Sequence, residues 1–184
     1  MKTIHLAGGC FWGLQQFLDQ FDGVLATETG YANGPDRAPT YEEVCADSGH
    51  AETVRVEYDE SRIGLAELLG RYFMVIDPFS VNRQGGDAGI QYRTGIYYTD
   101  EADLPVIREA CARVEREAGS EALKVDADVG AERGSEAGEP ARPLAVEICP
   151  LVNFFPAEEY HQKYLEKHPG GYCHIPARFM HLEG

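Results

Sequence analysis

The run Gly8-Gly9-Cys10-Phe11-Trp12-Gly13 constrains this chain most. Before it, Thr3-Ile4-His5-Leu6-Ala7 has strand character; after it, Trp12, Leu14, Phe17, Leu18 and Phe21 recur at helical spacing. The chain must therefore open as strand, tight turn and helix, with Cys10 where the helix begins. A helix start offers unpaired amides and the positive end of the dipole, which favour a thiolate. Cys10 is accordingly expected to ionise below the usual thiol range, beside Phe11 and Trp12 as walls of a small apolar pocket.

The remaining pattern supplies the other elements. Val24–Tyr31 reads as a strand, 32–40 as a loop of turn formers, Tyr41–Cys45 as a short helix or turn, and Thr53–Tyr58 as an alternating strand with Glu52 at its mouth. Local pattern alone makes Glu52 a solvated strand-end charge. A helix is expected over Ser61–Ile76, stopped by Asp77-Pro78, followed by a glycine-rich polar loop over 79–93 and a strand over Thr94–Thr99. A second long helix runs from Leu104 to about Ala118, capped by Asp100 or Asp103. Residues 119–143 form an acidic surface insertion with a candidate short strand at Leu123–Val129. Then come a strand at Leu144–Ile148, a short helix at Ala157–Lys167 and a tail, 168–184, that carries Cys173.

These elements predict a single α+β domain over 1–184: a two-layer sandwich of the ferredoxin-like plait type, with a mixed sheet and a long irregular C-terminal arm. No run approaches the roughly 18 apolar residues of a membrane helix, and no basic stretch followed by an apolar one marks a signal peptide. A cytoplasmic monomer is expected. A net charge of −15 without a Lys/Arg cluster disfavours nucleic acid and anionic membranes. Five cysteines, an odd number with no CxxC pair, disfavour a disulfide scaffold or structural zinc, and the histidines lack ligand spacing, so neither metal nor cofactor is expected. Cys111 and Cys149 read as packing residues, His50 and His161 as structural hydrogen-bonders. Cys10 and Cys173, one rigid and one tethered, form a chemically meaningful pair, since a sulfenic acid on the first condenses with the second to a disulfide and water.

Five blocks, in order, resemble the type A peptide methionine sulfoxide reductases: Gly9-Cys10-Phe11-Trp12-Gly13; Tyr41-Glu42-Glu43-Val44-Cys45 with Gly49-His50-Ala51-Glu52; Asp77-Pro78 with Asn82-Arg83-Gln84-Gly85; Asp87 with Gln91-Tyr92-Arg93; and 156–164, Pro-Ala-Glu-Glu-Tyr-His-Gln-Lys-Tyr. The resemblance implies that Cys10 attacks the sulfur of a methionine S-sulfoxide, that Glu52 protonates the oxygen, and that Tyr41, Tyr92 and Asp87 hold that oxygen and nearby water. It further implies that Phe11 and Trp12 receive the S-methyl group, with Tyr164 beside the pocket, and that Cys173 forms a disulfide with Cys10 for a thioredoxin-like dithiol to reduce. The same residue types permit a cysteine hydrolase or acyltransferase using His50 or His161 as base and Glu52 as its orienter, which has no use for Cys173. A non-catalytic thiol-rich binding module is a third class.

Overall fold

The computed structural model describes residues 1–128 and 143–180. In chain order its elements are β1 (Lys2–Gly8), α1 (Phe11–Asp19), β2 (Val24–Ala32), α2 (Tyr41–Cys45), β3 (Ala51–Tyr58), α3 (Leu65–Phe73), the miniature hairpin β4 (Arg83–Gln84) and β5 (Asp87–Ala88), β6 (Thr94–Tyr98), α4 (Leu104–Asp128), β7 (Glu147–Pro150), β8 (Phe154–Pro156) and α5 (Tyr164–Lys167). No helix among the described residues is long and apolar enough to cross a membrane.

Six strands form one mixed sheet in the order β7-β6-β1-β3-β2-β8. Every pairing is antiparallel except β6 with β7. The consecutive strands β7 and β8 lie on opposite edges, joined only by residues 151–153. A flat six-stranded sheet would hold them roughly 24 Å apart, whereas three intervening residues reach at most about 14 Å. The sheet therefore curls until its edges nearly meet. Asn33, just past β2, clasps the seam: its Nδ2 donates to the Pro150 carbonyl (3.2 Å), its Oδ1 accepts from the Val152 amide (2.8 Å), and its amide donates to the Asn153 carbonyl (3.2 Å).

Strand alternation sorts side chains between the two faces. On the convex face Ile4, Leu6, Val54, Val56, Tyr58, Ile96 and Tyr98 join Leu14, Phe17 and Leu18 of α1 and Leu68, Leu69 and Tyr72 of α3 in the main core. Each such side chain, fully buried, contributes on the order of 1.5–3 kcal/mol. On the concave face Ala7, Ala32 and Ala51 leave space that Tyr97 and Phe154 fill.

Several boundaries differ from those expected. The helix expected from Ser61 starts at Leu65, because the Asp59 carboxylate and carbonyl take the amides of Ser61, Arg62 and Ile63 into a preceding turn. Residues 123–128, expected as strand, continue α4; the Leu, Lys and Ala of that stretch are strong helix formers. The remainder of the acidic insertion, 129–142, lies outside the described residues. The last strand before Pro150 begins at Glu147 rather than Leu144, and Phe154–Pro156 adds a strand that local pattern did not suggest. The single helix expected over Ala157–Lys167 is instead a 3-10 turn at Glu159–His161 and the one-turn α5. Lys163 adopts a left-handed backbone between them (φ 51°). Tertiary bonds enforce that break: the Lys163 amide donates to Gln15 Oε1 (2.8 Å), and its Nζ donates to Asp19 Oδ2 (2.5 Å) and Thr27 Oγ1 (2.8 Å).

Candidate active site

Four strand ends define one end of the sheet: the last residues of β1 and β2 and the first of β3 and β6. The chain leaves β1 through Gly9, whose φ of +81° lets it turn sharply into α1, and Cys10 becomes the N-cap residue. The Cys10 side chain caps nothing. Its place is taken from another strand: Glu52 Oε2 accepts a 3.0 Å hydrogen bond from the Phe11 amide.

Glu52 is 1% exposed, so the solvated charge read from local pattern is corrected. It is the second residue of β3, covered by β2 (Tyr31 lies opposite) and by the start of α1. Burial pushes its pKa up to about 8, opposed by the Phe11 amide and reinforced by Asp87. The carboxyl is thus mostly protonated at neutral pH. With Oε2 accepting from Phe11, the proton belongs on Oε1.

Cys10 departs from expectation in its resting state. At 7% exposure, burial drives the thiol well above its ordinary range, Glu52 and Asp87 push the same way, and only the Trp12 amide opposes them. The helix dipole is worth about 1 kcal/mol, under one pKa unit, whereas burial of an ionisable group shifts it by several. Desolvation wins, and the resting sulfur is a thiol.

Asp87 on β5 and Tyr92 in the 3-10 turn before β6 complete this side of the site. Burial holds the Tyr92 phenol protonated, with Glu52, Cys10 and Asp87 all within electrostatic reach. Tyr41 opens α2 behind a capping box in which the Thr40 hydroxyl accepts from the Glu43 amide (3.3 Å) and Glu43 Oε2 from the Thr40 amide (3.0 Å). Burial also raises the Tyr41 phenol, which bonds to Cys45 and feels Glu52.

The aromatic residues divide into layers. Phe11 is 1% exposed, its ring against Tyr31 and His161, so it backs the site from within the core. Trp12 is half-buried. Its Nε1 donates to His161 Nδ1 (3.0 Å) and its face stacks on Tyr164 (3.8 Å, 14°). Tyr164 therefore acts on the indole, a contact worth about 1 kcal/mol beyond burial.

The tail is docked rather than free. The Cys173 sulfur lies over Gly13, one helical turn from Cys10, so close that a Cβ there would sit 2.8 Å from it; Ile175 packs on the same glycine. His174 Nε2 reaches Gly9 on the other flank, and Tyr172 Oη donates to Asp87 Oδ2 (3.0 Å). Burial raises the Cys173 thiol as well.

Three supporting residues, Gln84, Glu158 and Tyr172, were given no individual role from sequence, and His161 was read there as a structural hydrogen-bonder. Gln84 clamps the Asp77 backbone, its Oε1 accepting from the amide (2.7 Å) and its Nε2 donating to the carbonyl (2.8 Å), while its side chain packs on Gly9. Glu158 accepts from Tyr31 Oη (2.7 Å) and the Tyr41 amide (3.0 Å). Tyr172 latches the tail, and His161 sits among the aromatics. Gln84 and Glu158 stand within the five resembling blocks, the only signal that could have singled them out. His50 hydrogen-bonds Ser48 Oγ (2.9 Å) and the Pro35 carbonyl (3.0 Å), far from the role of a base. Cys111 is buried in the core, and Cys149 accepts from Asn33 Nδ2 (3.3 Å). Among the described residues no group of three or more His, Cys, Asp or Glu is placed to hold a metal ion.

A buried sulfur beside a carboxylic acid held protonated, with a second thiol one helical turn away, defines a thiol-dependent oxidoreductase. The family model described as peptide methionine sulfoxide reductase matches residues 2–132 and 126–182. A peptide methionine sulfoxide reductase MsrA of Lachnoclostridium phytofermentans is 51% identical over 175 residues, 95% of this chain and 92% of that one. Mxr1 from Saccharomyces cerevisiae in reduced form superposes with a TM-score of 0.77 at 33% identity, covering 94% of this chain and 88% of that one. Mxr1 in complex with Trx2 superposes with a TM-score of 0.55 at 25% identity, covering 89% and 84%. The chain belongs to the peptide methionine sulfoxide reductase family.

Proposed function

We propose that this enzyme reduces the S epimer of methionine sulfoxide, free or in proteins, with Cys10 as nucleophile, Glu52 as proton donor and Cys173 as the recycling thiol. The observation that carries this assignment is the Glu52 carboxyl, protonated by burial and bonded to the amide that follows Cys10.

As the Cys10 sulfur bonds to the sulfoxide sulfur, Glu52 delivers its proton to the oxygen and recovers one from the thiol. Transfer of OH from the methionine sulfur to the Cys10 sulfur breaks both the S–O bond and the transient bond between the two sulfurs, releases methionine and leaves Cys10 as a sulfenic acid. The neutral phenols of Tyr41 and Tyr92 donate to the oxygen, and Asp87 orders the adjoining water. Trp12 receives the methyl group, with Phe11 behind it and Tyr164 at its face. Cys173 then attacks the sulfenic sulfur, expelling water and forming a Cys10–Cys173 disulfide. Two electrons and two protons from a thioredoxin dithiol restore both thiols. Thioredoxin is supported by the likeness to Mxr1 bound to Trx2. No cofactor enters this chemistry.

The same proposal takes the chain as a cytoplasmic monomer with one catalytic domain over 1–184 and a C-terminal arm over 168–184. The strand order β6-β1-β3-β2, with α1 and α3 as its crossovers, supports a ferredoxin-like plait at the centre.

The test is turnover of methionine sulfoxide with thioredoxin or dithiothreitol. Cys10→Ser should be inactive, Glu52→Gln should lose about 10²- to 10⁴-fold in rate, and Cys173→Ser should release one equivalent of methionine and then stall with thioredoxin. Full thioredoxin-driven turnover by Cys173→Ser would remove Cys173 from the cycle. A thioester trapped on Cys10 from an activated acyl donor would favour the hydrolase class.

A further inference from the structure

The tail crosses the site with its side chains alternating between two neighbours. Cys173 and Ile175 face Gly13 of α1. Tyr172 and His174 face the turn of the β4–β5 hairpin, where the Tyr172 hydroxyl bonds Asp87 and the His174 Cβ is 3.6 Å from the point a Gly85 Cβ would occupy. From there the His174 ring extends to the turn between β1 and α1, its Nε2 3.2 Å from the point a Gly9 Cβ would occupy. The imidazole thus fills a slot between two glycines. Because it is the next residue after the thiol, it cannot leave that slot without carrying Cys173 off Gly13.

Shape and polarity oppose each other in this fit. Burial lowers the imidazole pKa, outweighing Asp87 and the Gly8 carbonyl, which favour the charged ring. At neutral pH the ring is therefore uncharged, with one donor and one acceptor. Although the Gly8 carbonyl is near, both nitrogens are sealed from solvent and neither completes a hydrogen bond with any described residue. In water both would be hydrogen-bonded, so burying them unpaired is unfavourable. Packing holds the ring in its slot while its polarity draws it out. A recycling thiol needs both tendencies. It must stand beside Cys10 to attack the sulfenic acid, and the resulting disulfide must come within reach of an external dithiol.

We propose that His174 is the positioning residue of the recycling step: its ring seats Cys173 over the first turn of α1, and its unpaired nitrogens keep that seat easy to leave. The inference rests on the activity proposed above. His174 acts through the placement of Cys173, so its effect falls on the steps after methionine has left.

Alkylation of Cys173 by iodoacetamide in the reduced enzyme, read at the Cys173 peptide by mass spectrometry, reports how often the tail leaves its seat. His174→Ala empties the slot and should speed that alkylation severalfold. His174→Leu keeps the bulk without the nitrogens and should slow it about tenfold, the effect of relieving one buried unpaired polar group. His174→Phe keeps a planar ring and repeats the test in case the branched side chain does not fit. In single turnovers each variant should release its first equivalent of methionine as wild type does. The alanine variant should then form the disulfide slowly, whereas the leucine variant should form it normally and pass it to thioredoxin slowly. A general loss of structure cannot make two variants fail at opposite ends of recycling. Alkylation at or above the wild-type rate in both His174→Leu and His174→Phe would overturn the proposal. So would alkylation of His174→Ala no faster than wild type, or loss of the first equivalent in all three variants. The alkylation arm needs no sulfoxide, so a wild type inert towards methionine sulfoxide would sink the reductase assignment and leave the seat separately tested.

Discussion

The Phe11 amide donates to Glu52 Oε2 across 3.0 Å, tying the first turn of α1 to the mouth of β3. One contact thereby sets the distance between the Cys10 sulfur and the Glu52 carboxyl, and leaves the second carboxyl oxygen to carry the proton. With its pKa pushed up to about 8 by burial, Glu52 is protonated below that pH and ionised above it. The rate of methionine release at saturating dithiothreitol should fall as pH rises through about 8, and Glu52→Gln should lose both the rate and that alkaline limb.

The same group makes stability pH-dependent. Between its ordinary value of 4.5 and about 8 the folded chain keeps a proton that the unfolded chain has released. More protons are bound in the native state, so this carboxyl makes unfolding easier as pH rises across that window and has constant effect outside it. Urea unfolding of wild type and Glu52→Gln at several pH values should show the mutant gaining relative stability from pH 4.5 to 8.

Gly13 leaves room for the Cys173 sulfur. A methyl group there would force the sulfur at the end of the tail to move, while alanine inside α1 is about 1 kcal/mol more favourable than glycine. Gly13→Ala should keep its fold and its first turnover, yet slow disulfide formation and thioredoxin-driven cycling. Comparing the burst of methionine with the steady rate separates the two.

Much of this arrangement was legible in the sequence. The strand, glycine turn and amphipathic helix around Cys10 are local features, and local pattern found them. Burial of Glu52 is not local, for it depends on β2 and on the start of α1 converging over the mouth of β3. The ionisation of Cys10 was misjudged for a related reason: a helix start is visible in sequence, whereas the desolvation that outweighs it arises only when distant segments pack. The break at Lys163 likewise follows from Gln15, Asp19 and Thr27, over 130 residues earlier in the chain.

Tyr172 latches the tail through one half-exposed bond to Asp87. Tyr172→Phe removes it. Loss of a bond worth about 1 kcal/mol should raise alkylation of Cys10 by iodoacetamide about fivefold in the reduced enzyme, read at the Cys10 peptide by mass spectrometry because the exposed Cys45 also reacts.

Asn33 clasps the seam with three side-chain hydrogen bonds and one from its amide, and does so with a positive φ of 50°, a conformation that asparagine tolerates better than alanine. Asn33→Ala should cost about 2 kcal/mol in urea unfolding, and Asn33→Gly less than the three lost side-chain bonds alone suggest, because glycine relieves the backbone.

That seam has a consequence for how the molecule behaves in a crowded solution. The outermost strands are only four and three residues long, and the clasp brings them round to face each other, so neither presents an extended ladder of free amides and carbonyls to another copy. A repair enzyme called upon when other proteins are oxidised and sticky is thus shielded from edge-to-edge aggregation by the way its own sheet closes.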